Sequence, residues 1–266
     1  MMARNIVFVI SRWPVTYKRN ICGVSKRLLT TEPPAGSAKL NDKRSEDSVK
    51  AQILDSSLQF VHFHGWSRNA ITAGAESLGY PGVTHGFFPK GGIELVEHFY
   101  KTSNSLLFES LDLKYAELPK EKKTATRELM AEAVEERLRM IIPYIDKWPE
   151  ALALMSLPQN IPTALANLLT LVDDICYYAG DHSIDMIWYG KRVALAGIYK
   201  ATELYMLQDS SLDYKNTWEF LDRRLEEASQ LNRYIKQTEQ ASQFAKDFAS
   251  ATFITARNIL GLNWNR

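Results

Sequence analysis

ILDSSLQFVHFHGWSRNAITAGAESLGYPGVTHGFFPKGGIELVEHFY, residues 53–100, decides the fold. Ile53, Leu54, Leu58 and Val61 recur at the three- and four-residue spacing of one helix face, and His64-Gly65-Trp66 ends the run. Ile71, Ala75 and Leu78 repeat that spacing, with Gly79 placed to close the second helix as a left-handed cap. A third, very short helix is predicted over residues 83–88, ended by Phe87-Phe88-Pro89, and Gly91-Gly92 then opens a longer one through Leu95 and Phe99. Three short helices followed by a long one form a helix-turn-helix layout.

Beyond this stretch, apolar residues keep helical spacing from residue 49 onward, strand-like alternation is scarce, and Gly and Pro fall between the periodic blocks. The expected fold is all-α. A chain of 266 residues with 45% hydrophobic content can bury a sizeable core. Its 32 basic and 31 acidic residues nearly cancel, so no global field draws in nucleic acid. Residues 69–89, where a DNA reader would lie, contain no Lys or Arg to hold phosphate, so a DNA-binding regulator is the weaker reading. Cys22 and Cys176 stand far apart outside any CxxC spacing, which argues against a disulfide framework or a zinc site. No run of about 18 apolar residues marks a membrane span.

The N-terminal residues read as an address. Arg4, Arg12, Lys18, Arg19, Lys26 and Arg27 precede the first acidic residue, Glu32, and alternate with apolar residues, the composition of a mitochondrial transit peptide. Pro33-Pro34 and the charged run 39–47 read as a linker, which sets the start of the folded body near residues 45–49. The expected organisation is a transit peptide and linker over 1–45, a degenerate helix-turn-helix domain over 46–100, a larger helical domain over 101–234 and an amphipathic C-terminal helix over 235–266. In the last segment Ala241, Phe244, Phe248, Ala251, Ile259 and Leu262 fall within about 80° of one another on a helical wheel, with Lys246 and Arg257 opposite and Trp264 beyond. Such a face can lie in a membrane interface or dock on protein.

The sequence carries none of the common catalytic motifs. A helical di-iron site needs Glu three residues before His on two helices, and the residues three before His62, His64, His85, His98 and His182 are Gln59, Val61, Gly82, Leu95 and Ala179. HExxH, P-loop, GxGxxG and GxSxG patterns are absent too, so no cofactor or resident metal is implied. Asp173, Asp174, Asp181 and Asp185 invite a prenyl-processing enzyme that holds Mg²⁺ against diphosphate, but such a site requires a second acidic cluster, and none is identifiable. The plainer reading makes Asp181 a helix cap and Asp173-Asp174 surface charges.

Residues 53–100 resemble the N-terminal domain of TetR-type regulators. Three further blocks, RLRMIIPYIDKWPEALALMSLPQNIPTAL (137–165), VDDICYYAGDHSIDMIWYGKR (172–192) and ATELYMLQDSS (201–211), resemble the mitochondrial ubiquinone-biosynthesis accessory family. Its members are TetR-like lipid binders that partner the demethoxyubiquinone hydroxylase. The resemblance implies a homodimer, an apolar tunnel in the larger domain for isoprenoid quinone intermediates and phospholipid, and a terminal helix in peripheral contact with the matrix side of the mitochondrial inner membrane. It further implies a hydroxylase-docking surface that includes Asp185, Trp188 and Tyr189, with Ile175 where the family can place Met, and a lipid-binding role for Arg192. Two plainer readings stay beside these: Trp188 as a core residue and Arg192 in an ordinary salt bridge. Apolar residues between Met140 and Val172 exceed what one helix face needs, which suits both a cavity wall and a packed core.

Overall fold

The computed structural model describes residues 36–81, 86–117, 126–179 and 186–237 together with 247, 250, 251, 254 and 255; side chains are described over 46–81, 86–114, 127–179 and 190–231 and at those five positions. Among the described residues every regular element is helical. In chain order these are α1 (Gly36–Ser57), α2 (Val61–His64), α3 (Arg68–Ser77), α4 (Gly92–Glu117), α5 (Thr126–Arg139), α6 (Trp148–Met155), α7 (Ile161–Tyr178), α8 (Met186–Met206) and α9 (Lys215–Gln237). Short 3-10 turns at Leu58–Phe60, Ile142–Lys147 and Leu212–Tyr214 lead into α2, α6 and α9. The chain divides into two units, Met1–Arg44 and Ser45–Arg266, and the core described below lies in the second.

The helix α1 starts at Gly36, inside the run expected to be linker. Ala, Lys, Leu and Glu in that run have good helix propensity, which needs no burial. Over residues 46–52 no side chain is buried, and the core begins at Ile53 and Leu54. Gly65 ends α2 at φ 64°, a backbone state that favours glycine, and its amide donates to the Val61 carbonyl at 2.8 Å. Gly79 sits at φ 79°, and the amides of Gly79 and Tyr80 donate to Glu76 and Ala75, so the predicted left-handed cap of α3 is present. Leu78 is 44% exposed and contributes little to the stripe read from the sequence; Ala70, Ile71 and Ala75 form the buried face. Of the third helix predicted over 83–88, residues 83–85 lie outside the described residues. Before α4, Lys90 donates its amide to the Glu94 carboxylate at 2.7 Å, a cap from within the first turn.

In the body, α4 packs against α5, α6 and α7, α7 against α8, and α8 against α9. Their facing stripes, among them Leu95, Leu107, Val134, Leu138, Leu171, Val172, Tyr199 and Leu221, form one buried cluster. An aromatic box joins the α2–α3 turn to this body. Trp66, from the α2–α3 turn, meets Phe99, Tyr144 and Trp148 at centroid distances of 5.6, 5.6 and 5.5 Å. Its amide donates to the Glu150 carboxylate of α6 at 3.2 Å. The α8–α9 connection is pinned at both ends. Asp209 accepts from the Ser211 and Thr217 amides and from the Thr217 hydroxyl. Burial alone would raise this carboxyl, but those hydrogen bonds outweigh it and hold Asp209 at about 2. Asp213, at φ 54°, takes both terminal nitrogens of Arg139 at 2.9 Å.

Candidate functional site

Two of the candidate residues, Ile175 and Arg192, lie on the adjoining helices α7 and α8. Leu168, Leu171, Val172, Ile175 and Cys176 turn one face of α7 inward, and Asp173 is left on the flank. Arg192 is buried and its Nε donates to the Asp173 Oδ1 at 2.7 Å, while Asp173 remains 57% exposed. A bridge between a buried guanidinium and a half-exposed carboxylate ties the start of α8 to α7. Asp174 lies one residue on; desolvation and then the charge of Asp173 raise its carboxyl above the usual range.

Ile175 is buried and lines a small pocket with Leu111, Leu129, Ala133 and the residues Lys114, Tyr178 and Ala179. The pocket has room for about one water molecule. Burial, followed by the hydrogen bond to Asp112, pushes the Tyr178 hydroxyl up to about 12. Trp188 and Tyr189 belong to the first turn of α8, but their side chains lie outside the described residues, as does Asp185. The structure therefore brings Ile175 and Arg192 onto facing helices and leaves the orientation of the two aromatics open. Of the apolar residues considered for a lipid tunnel, Ile141, Trp148, Leu168, Leu171 and Val172 are buried in the core cluster, while Met140, Ile142, Tyr144, Leu152 and Met155 are partly buried against it.

A buried polar network escaped the sequence reading. Glu203 of α8 is fully buried and accepts from Lys200 Nζ at 2.7 Å, Trp148 Nε1 at 3.1 Å and Tyr100 Oη at 3.3 Å. Arg137 of α5 is also fully buried; its Nε donates to Asn104 Oδ1 at 3.0 Å, and its guanidinium lies 4.7 Å from the Tyr100 ring centroid. Desolvation first, then the Glu203 charge, drive the Tyr100 hydroxyl far above its usual range. The signal was present: Arg137 lies between Val134 and Ile141, and Glu203 between Tyr199 and Met206, at positions of the buried stripe rather than the wet face.

Among the described residues no group of His, Cys, Asp and Glu could hold a metal ion, and no helix is long and apolar enough to cross a membrane. The fold and the site define an all-α protein with a partly polar core and an ion-paired α7–α8 junction. Residues 161–232 match the family model described as COQ9, and residues 46–76 match the one described as Ubiquinone biosynthesis protein COQ9, N-terminal domain. The protein of Drosophila melanogaster named Ubiquinone biosynthesis protein COQ9, mitochondrial, is 52% identical over 221 residues, 83% of this chain and 67% of that protein. The Homo sapiens protein of the same name is 40% identical over 233 residues, 87% of this chain and 73% of that protein. The chain belongs to the COQ9 family of ubiquinone biosynthesis proteins.

Proposed function

We propose that this chain is a non-catalytic accessory protein that binds isoprenoid quinone intermediates and phospholipid and presents the quinone to the di-iron demethoxyubiquinone hydroxylase. It works as a homodimer with a TetR-like fold, in peripheral contact with the matrix side of the mitochondrial inner membrane through its C-terminal segment. Docking uses Asp185, Trp188 and Tyr189, together with Ile175 of α7, and Arg192 serves the lipid. The observation that carries this reading is the Arg192–Asp173 bridge in a chain of this family. It ties α8 to α7 about one turn beyond Trp188 and Tyr189. Large aromatic side chains on a rigid helix are effective interface anchors, because they bury area at low entropic cost.

The membrane and an apolar protein interior offer a prenyl tail similar surroundings, so the net gain on transfer is small and exchange is easy. The protein then acts by delivery rather than storage. Trp188→Lys tests the docking claim. It should weaken capture of the purified hydroxylase at least about thirtyfold, a hot-spot loss of about 2 kcal/mol, with an unchanged thermal melt. Retained capture would place the docking surface elsewhere, and a collapsed melt would make Trp188 a core residue.

A further inference from the structure

The Arg137 guanidinium is wholly buried, and although its Nε is bonded to Asn104, its Nη1 and Nη2 have no hydrogen-bond partner. Arginine stays charged inside proteins, and a buried charge without acceptors is costly. The nearby Glu203 is committed elsewhere, to Lys200, Trp148 and Tyr100. Tyr100 and Phe99 cover the guanidinium at 4.7 and 5.7 Å, a contact that accommodates the cation but supplies no acceptor oxygen. Two unused N–H₂ groups on one planar fork call for two adjacent acceptor oxygens.

A small pocket lies one side chain away from this fork. Tyr100 and Asn167 form part of a second small pocket between α4 and α7, whose wall also holds the apolar Ile93, Val96, Met155 and Ala164 and the polar Glu97 and Asn160. Asn104 donates its amide to the Asn167 carbonyl at 3.1 Å and accepts from Arg137, so one side chain links the pocket wall to the guanidinium. We propose that Arg137, reached through this pocket, seats the head of a tailed ligand by two adjacent acceptor oxygens, those of a substituted benzoquinone ring or of a phosphate. The inference rests on the lipid-binding reading above and specifies where the head group goes. The pocket holds about one water when empty, so Asn104 and the α4–α7 contact must part to admit a head group.

The test uses the full chain and three ten-carbon probes that compete with a fluorescent prenyl alcohol: a decyl-tailed dimethoxybenzoquinone, decyl phosphate and decanol. Two charge-assisted hydrogen bonds should make at least one of the headed probes bind about tenfold or more tighter than decanol. Arg137→Met keeps the apolar volume and should erase that preference. Arg137→Lys keeps the charge but not the fork and should reduce it; it also decides the matter if the Met variant fails to melt cooperatively. Dependence of the quinone alone, or of the phosphate alone, on Arg137 supports the seat and assigns its source. A head-group preference that survives in both variants overturns the seat and leaves lipid binding standing, as does a wild-type protein that binds all three probes equally. A wild-type protein that binds none of them overturns the lipid-binding reading itself.

Discussion

Removing the Glu203 carboxylate should be among the most damaging single changes to this protein, and the structure says by how much. In Glu203→Ala, Trp148 Nε1 and Tyr100 Oη, both on fully or nearly fully buried residues, lose their acceptor. Each orphaned buried donor costs about 1–3 kcal/mol. The Lys200 side chain is 34% exposed, so water takes over part of its pairing and its share is discounted. Two such donors sum to about 2–6 kcal/mol, and the middle of that span, about 3–5 kcal/mol, is the range seen when one partner of a buried pair is removed. Glu203→Gln differs in an informative way. Its amide oxygen still accepts from Trp148, while the ion pair to Lys200 is gone, so it should cost about 1–2 kcal/mol. For a folded unit of this size each kcal/mol moves Tm by about 2–4 °C. The expected falls are therefore about 6–20 °C for Ala and about 2–8 °C for Gln, read from far-UV circular dichroism melts at one protein concentration. If Ala melts within about 2 °C of wild type, or if the two variants melt together, the carboxylate does not organise the core as described.

Three further outcomes are expected. Asp209→Ala should destabilise by about 1 kcal/mol, as loss of a helix cap does. Because the Asp209 carboxyl is held at about 2, below its ordinary value, its contribution is present above about pH 4 and fades as the pH falls toward 2; a gap between the variant and wild-type melts that stays constant down to pH 2 would contradict this. Gly74→Ala should destabilise by about 1–3 kcal/mol although alanine is the better helix former, since a Cβ there meets the Ser57 Cα and N at 2.7 Å; a raised Tm in a urea or thermal melt would show that α1 and α3 can part freely. Deletion of residues 235–266 should weaken co-sedimentation with anionic liposomes while the remaining helices stay folded; equal sedimentation would remove the membrane role of this segment.

Much of the fold was legible because its punctuation is local. Gly65, Gly79 and Gly91 take positive φ where helix breaks were read, and Gly92 opens α4 as expected. Such signals depend on a few neighbouring residues, which sequence displays directly. The candidate site was legible only in part. That Arg192 would find Asp173 rather than Asp174 depends on the rotation of α7, set by burial of Val172, Ile175 and Cys176 against other helices. Arg137 and Glu203 were hidden for the opposite reason. Charge is ordinarily a mark of the wet face, so two ions on the dry stripe pass for surface residues until the partners 33 and 103 positions away are known.

The box formed by Trp66, Phe99, Tyr144 and Trp148 has a consequence for how the molecule comes apart. Its rings belong to the α2–α3 turn, α4, the 3-10 turn after α5, and α6. A cut near residue 100, natural as a boundary in sequence, would strip Trp66 and Phe99 from Trp148 and open the centre of what remained. The α2–α3 segment is thus a keystone of the helical body rather than a detachable part. Native-state hydrogen exchange should find the amides of α3 and α6 opening in the same rare event, and a fragment beginning at residue 101 should lack a cooperative transition of its own.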